Sequence, residues 1–307
     1  MVKAPKTTVS KRARKPQIVH IGPREIETRG LSNSFWTDLY YRSMTVYWPV
    51  FFGTAAAIFV ALNAMFAFLF WLGKDPIANV VGNEPVANVS GNSLIDLFYF
   101  SIETLATVGY GDMHPQTNYG HVIATVEIFT GMCFLAVLTG LIFARFSRPR
   151  ARFLFADHPV VTVHQGQPTL IIRIANARNN TISQATARLW LFRVETTLEG
   201  YELRRYHELL LDRHEHPTFT LSWSVFHTID ETSPLYRMTA ADLAAVDGSL
   251  TLNVGGFDNS SAQQLFARRI YTYDQIRWNH RYVDITSVSK EGRLTLDYGV
   301  FHEVTPD

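Results

Sequence analysis

The sequence predicts an α+β membrane protein. It has two transmembrane helices with a short re-entrant helix between them, followed by a β-sandwich. Three observations carry this reading. Residues 46–72 and 118–146 are long apolar runs, residues 93–106 are apolar but too short to span a bilayer, and short segments of alternating hydrophobicity begin only after Pro149.

Composition explains why the average is uninformative. The chain has 307 residues, enough for roughly two domains, and a net charge of +1, which points to no nucleic acid partner. A mean hydropathy of +0.01 would suit an ordinary soluble protein, yet residues 43–73 contain no Asp, Glu, Lys or Arg. The single cysteine, Cys133, excludes an intrachain disulfide, and its apolar surroundings suggest a small buried hydrophobe.

The first 33 residues read as a flexible basic arm, with Lys3, Lys6, Lys11, Arg12, Arg14 and Lys15 between Pro5 and Pro16. No apolar stretch follows at once, which argues against a cleaved secretory signal. A nucleic-acid-binding tail and an arm on the cytoplasmic side of a membrane account equally for the charge. Residues 34–47, SFWTDLYYRSMTVY, suit an interfacial helix or a plain lead-in to the span.

The transmembrane domain is expected over 48–148. The first run exceeds the roughly 20 residues a hydrocarbon core requires. It carries Trp48 and Trp71 near its ends and Pro49 in its first turn, where a missing N–H costs least. Residues 73–92, rich in Gly, Asn, Pro and Val, read as an exposed loop. Only Glu127 interrupts the second run before Arg145, and that helix would extend roughly 43 Å, past the core thickness. Arg145, Arg148, Arg150 and Arg152 follow its end, so both ends of the membrane unit are placed inside.

Residues 149–307 are expected to form the β-sandwich. Strands are predicted at 169–175, 185–194, 249–254, 282–286 and 293–298, with Ala185, Ala187, Leu189 and Leu191 on one face. A Lys290-Glu291-Gly292 turn precedes the last of them. A short helix is predicted over 239–246, with Thr239 as its N-cap and Asp247-Gly248 after it.

Between the short helix and the second span stand Thr107, Val108, Gly109, Tyr110 and Gly111, a run recognised as a potassium selectivity filter. The residue types suit the task. A dehydrated cation needs oxygen ligands without fixed negative charge, which backbone carbonyls supply. Gly109 and Gly111 permit the backbone conformations required, the Thr107 hydroxyl adds oxygens, and Tyr110 braces the strand sideways. Four copies around one axis are implied, with K⁺ passing through filter carbonyls only and no resident cofactor. Glu103 and Asp112 flank the filter and are expected to share a proton or a water behind it, unless Asp112 simply faces water. On the second span Gly131, as a hinge, and Leu135, Thr139 and Phe143 recur every four residues. Four Phe143 rings would close the pore by excluding water, with helix packing as the plain alternative.

The chain resembles the inward rectifier potassium channel family, especially its prokaryotic members. Residues 93–112 look like a potassium-channel pore. ARFSRPRARF at 144–153, RIANARNN at 173–180, HTIDETSPLY at 227–236 and D-x-I-x-W-x-x-R-Y at 274–282 carry the more specific likeness, which extends over some 250 residues. The resemblance implies a homotetramer in the plasma (bacterial inner) membrane with both termini cytoplasmic. It also implies a surface-lying slide helix, an immunoglobulin-like cytoplasmic sandwich, and gating by anionic or phosphoinositide lipid. Polyamine, Mg²⁺ and Ba²⁺ are the blockers implied. Several positions depart from the family pattern. Leu135 stands where strong rectifiers carry an acid, so polyamine block should be weaker. Tyr47, Trp48 and Pro49 replace a basic-Trp-basic run, Ala151 replaces a basic residue, and paired extracellular cysteines are missing. Arg145, Arg148, Arg150 and Arg152 remain as headgroup ligands or as plain topology signals.

The competing class is a sensor or enzyme domain merely anchored to the membrane. His207, His214, His216 and His227 would have to supply a metal site, but His214-Glu215-His216 lacks the i, i+4 spacing of a helical zinc motif. Histidines of this kind would instead make gating sensitive to pH.

Overall fold

The computed structural model describes residues 17–21, 24–28, 38–81, 84–85, 93–149, 151–288 and 291–307. The chain forms two compact units, Ser32–Arg148 and Pro149–Asp307, the latter grouped with Met1–Leu31. Ahead of the membrane unit, β1 (Gln17–Ile21) and β2 (Arg24–Thr28) pair antiparallel from Gln17↔Thr28 to Ile21↔Arg24. A regular ladder therefore occupies part of the segment whose charge and prolines suggested a flexible arm. The basic residues up to Lys15 lie outside the described residues.

In the membrane unit, α1 (Leu39–Thr45) precedes α2 (Trp48–Trp71), which starts with Tyr47 as N-cap and Pro49 in its first turn. The short helix, α3 (Leu94–Leu105), is capped by Ser93, whose side chain accepts from the Ile95 N–H at 3.2 Å. The second span, α4 (Asn118–Phe146), is capped by Thr117 through the Gly120 N–H. Both α2 and α4 are long and apolar enough to cross a membrane.

The core of this unit lies between α2, α3 and α4. Phe66, Ala67 and Phe70 of α2 meet Leu97, Phe100 and Leu105 of α3 and Ala124 of α4, with the Phe70 and Phe100 rings edge-on at 5.2 Å. Part of the segment read as an exposed loop is sheet. β3 (Ile77–Val81) pairs with β4 (Glu84–Pro85), and on its other side with β5 (Met113–Pro115) through Ile77↔Pro115. Cys133 is exposed on α4 rather than buried, since the helix turns that face away from its neighbours in the chain.

The second unit is a sandwich of two five-stranded sheets. One runs β10 (Glu202–Leu209), β9 (Ile182–Thr196), β13 (Ser249–Asp258), β14 (Gln263–Thr272), with β11 (Glu215–Phe219) also on β9. The other runs β12 (Ser222–Thr228), β8 (Gln167–Asn176), β7 (Val160–His164), β15 (Arg277–Trp278), with β6 (Phe153–Phe155) on β8. Ala185, Ala187, Leu189 and Leu191 all point inward from β9 and meet Leu170, Ile172 and Ile174 of β8, so the period-two reading holds. The helix α5 (Ala240–Ala245) has the Thr239 cap, closed into a box by the Asp242 carboxylate accepting from the Thr239 N–H at 2.8 Å.

The C-terminal segment departs from its predicted strands. β16 (His280–Tyr282) stops at Tyr282 and pairs with β19 (Val304–Pro306). Buried Arg173 explains the stop. Its guanidinium donates to the Val283 carbonyl at 2.8 Å and lies 4.5 Å from the Tyr282 ring, while the Tyr282 hydroxyl donates to the His158 carbonyl at 2.6 Å. β17 (Thr286–Val288) pairs with β18 (Leu294–Leu296), which yields to a turn where Asp297 accepts from the Gly299 N–H.

The four histidines do not gather. His207 pairs with Glu195 at 2.7 Å, whose carboxyl is held below the usual range chiefly by its hydrogen bond to Arg193. His227 is buried in β12, its ring nitrogens 2.7 Å from the Leu210 carbonyl and 2.8 Å from the Ser233 hydroxyl. Burial pushes its pKa below the ordinary value and outweighs the pull of Asp212 and Asp230. The native state therefore holds the neutral form, and the unfolded chain binds the proton first as pH falls. Stability from this site is complete above the unfolded pKa of about 6.5 and is lost on acidification. Thermal melting of the full chain between about pH 7 and pH 5 should show a falling midpoint, and His227→Gln should reduce that slope.

Candidate ion-conducting site

The Thr107–Gly111 motif follows directly from the end of α3. The last turn of that helix runs into the motif through N–H bonds from Ala106 to Ile102, Thr107 to Thr104 and Val108 to Glu103, at 3.0, 3.1 and 2.8 Å. From Thr107 onward the backbone takes a different form. Thr107, Gly109 and Gly111 have φ of +56°, +59° and +89°, whereas Val108 and Tyr110 do not enter positive φ. Reversing φ at every second residue cancels the pleat that would send successive carbonyls to opposite sides, and so favours one row of oxygens. The two glycines adopt this form without a steric penalty, but Thr107 is β-branched, and left-handed backbone there costs about 1–3 kcal/mol. The residue types gave no hint of that third position.

The outer end of the motif is fastened by β5. Gln116 donates from Nε2 to the Asp75 and Ile77 carbonyls at 2.8 and 3.2 Å, and its N–H donates to the Pro76 carbonyl at 3.1 Å. Five residues of irregular backbone are thus tied to a helix at one end and to a three-stranded ladder at the other. Val108 and Tyr110 are exposed, Tyr110 at 77%, because nothing within one chain covers them.

Glu103 is half-buried and Asp112 exposed, and among the described residues no hydrogen bond links them. On α4 the four-residue series divides. Gly131 is buried against the end of α3, where a Cβ would stand 2.1 Å from the Leu105 carbonyl oxygen. Its lack of a side chain therefore permits a close helix approach, and α4 runs through it without a break. Leu135, Thr139 and Phe143 are bare along the rest of the helix, Phe143 at 73%.

The arginines also divide. Arg145 is buried, and its guanidinium donates to the carbonyls of Ser43 and Val46, the latter at 2.6 Å, at the C-terminal end of α1. It lies 4.4 Å from the Trp48 ring centroid and 4.6 Å from that of Phe51. A planar cation with a donor fork suits this place, because the last carbonyls of a helix lack partners and carry partial negative charge. Arg148 donates to the Met44 carbonyl at 2.9 Å and stays exposed. Arg152 is exposed in the second unit, and Arg150 lies outside the described residues. A headgroup role for Arg145 thus conflicts with its engaged guanidinium. The sequence showed its charge but not its partners, which are backbone atoms far away in the chain.

Replacing Arg145 by Lys keeps the charge and removes the fork. Hydrogen exchange of the Ser43–Val46 amides should then quicken by about tenfold, as expected for loss of roughly one charged hydrogen bond. Arg148→Lys should change it far less.

One family model, the inward rectifier potassium channel C-terminal domain, matches residues 153–306, and an ion channel model matches residues 56–148. The chain is 37% identical over 294 residues to the inward rectifier potassium channel Kirbac3.1 of Paramagnetospirillum magnetotacticum, covering 95% of this chain and 97% of the relative. It is 30% identical over 216 residues to the G protein-activated inward rectifier potassium channel 3 of Mus musculus, covering 67% of this chain and 54% of that protein. Inward rectifier potassium channel 4 of the same animal is 28% identical over 304 residues, with 89% and 67% covered. With the helical and β-rich halves both matched, and one relative aligned over 95% of this chain, this chain belongs to the inward rectifier potassium channel family.

Proposed function

We propose that four copies of this chain surround one axis and conduct K⁺ passively, with Thr107, Val108, Gly109, Tyr110 and Gly111 as the selectivity filter. The observation that carries the reading is the alternation of φ at Thr107, Gly109 and Gly111 in a potassium-filter sequence. Such backbone leaves carbonyls unpaired, which is tolerable at membrane depth only where they line an ion path. The bare Val108 and Tyr110 side chains suit packing against neighbouring copies. Glu103 and Asp112 support the filter from behind and at its mouth.

The gate is assigned to α4. Leu135, Thr139 and Phe143 are exposed along it, and a ring of four Phe143 side chains would close the path by dewetting. Gly131 seats α4 against α3 and is the fixed point about which the inner part would bend. Leu135 supplies no charge for Mg²⁺ or polyamine, so block by them is weak, while Ba²⁺ blocks at the filter. Anionic or phosphoinositide headgroups are assigned to Arg148, Arg150 and Arg152, while the Arg145 guanidinium caps the end of α1. Both termini and the sandwich lie on the cytoplasmic side of the bacterial inner membrane, as the arginines after α4 imply.

Rubidium uptake into liposomes holding the purified protein tests this. Ba²⁺-sensitive uptake that excludes Na⁺ is expected, and added phosphoinositide should change its rate. Phe143→Ala should raise uptake. Gly109→Ala, strained at φ +59° though no atom of the chain crowds its Cβ, should abolish uptake while leaving assembly intact. Sodium passing as freely as rubidium would refute the filter assignment.

A further inference from the structure

Among the described residues, three polar side chains are completely buried in the membrane unit, one on each of its three principal helices: Asn63 on α2, Ser101 on α3 and Glu127 on α4. The Ser101 hydroxyl sits between the other two. It donates toward Glu127 Oε1, and Asn63 Oδ1 lies 3.1 Å from it. The Asn63 amide is oriented independently, because its Nδ2 donates to the Phe59 carbonyl at 2.8 Å and so turns Oδ1 toward Ser101. Glu127 Oε2 is buried with no partner. Burying a carboxyl, an amide and a hydroxyl among apolar helices is costly, and helices that only needed to pack would carry apolar groups at these positions.

The position of the cluster indicates its use. Ser101 lies one turn before Leu105, and Glu127 lies one turn before Gly131, the residue that touches the Leu105 carbonyl. Along this contact α3 and α4 therefore run in the same direction and meet at two successive turns, one polar and one backbone to backbone. A single contact fixes a distance, whereas two levels together with Asn63 on a third helix fix the rotation and depth of α3. The filter begins at Thr107, two residues after Leu105.

We infer that Asn63, Ser101 and Glu127 are positioning residues for ion discrimination, a polar clamp that sets where the end of α3 delivers the filter. None of them touches the ion. The clamp rests on the proposed conduction of K⁺, and the tests below separate the two.

Full-length protein in liposomes is assayed for Rb⁺ and Na⁺ uptake as the parent, Ser101→Ala, Glu127→Leu and Glu127→Gln, each first shown to elute as the parent does. Ser101→Ala and Glu127→Leu should raise the Na⁺:Rb⁺ uptake ratio about tenfold. Glu127→Gln, which still offers an oxygen to Ser101, should stay near the parent ratio. Lower total uptake at an unchanged ratio in both disrupting variants would reduce the cluster to plain helix packing and overturn the inference. A parent that passes no Rb⁺ overturns the conduction reading instead. Additive shifts in the thermal melting of Ser101→Ala, Glu127→Leu and the double variant would also overturn the clamp, since side chains that act as one unit are not lost independently.

Discussion

Irregular backbone at membrane depth must be held by something other than its own hydrogen bonds. Most of the membrane unit can be understood from that constraint. The Thr107–Gly111 segment spends its first N–H groups on the last turn of α3 and then has no ladder until β5. Its shape therefore depends on how firmly its two ends are held. β3 and Gln116 hold one end, and the seating of α3 against Gly131 holds the other. The glycine requirement at Gly109 and Gly111 comes from backbone conformation, while the requirement at Gly131 comes from space.

The same shortage of partners recurs at the end of α1. Its last carbonyls would be orphaned, and Arg145 and Arg148 supply donors to them from beyond the middle of α4. A basic cluster next to a membrane is readily taken as a lipid site because charge is visible in sequence. Here at least one of its members is committed to protein atoms. The distinction matters for reading any variant at Arg145, whose loss removes a helix cap and an aromatic stack together with a charge.

The sequence was most informative where one residue type answers one local demand. The ends of α2 and α4, the Thr239 cap, and the inward face of β9 follow from apolar length, capping chemistry and period two. It was least informative where the decisive partner is remote. The β3–β5 ladder is only three residues long, too short for a period to stand out. β16 is cut short by Arg173, a residue of β8 that sequence places in an ordinary strand. Left-handed Thr107 contradicts its own side-chain preference, and only the surrounding structure imposes it. Glu127 was visible as the one acid within an apolar run, but its partners on α2 and α3 were not.

Cys133 has a practical consequence. It is the only thiol in the chain and stands exposed on α4, two residues beyond the glycine that seats that helix. A maleimide spin label or fluorophore can therefore attach at no more than one position per chain, with no second thiol as background. In an assembly of four, the labels would form a square whose side and diagonal report the spread of the inner helices directly. Replacing this one residue would yield a thiol-free protein, ready for reporters placed elsewhere.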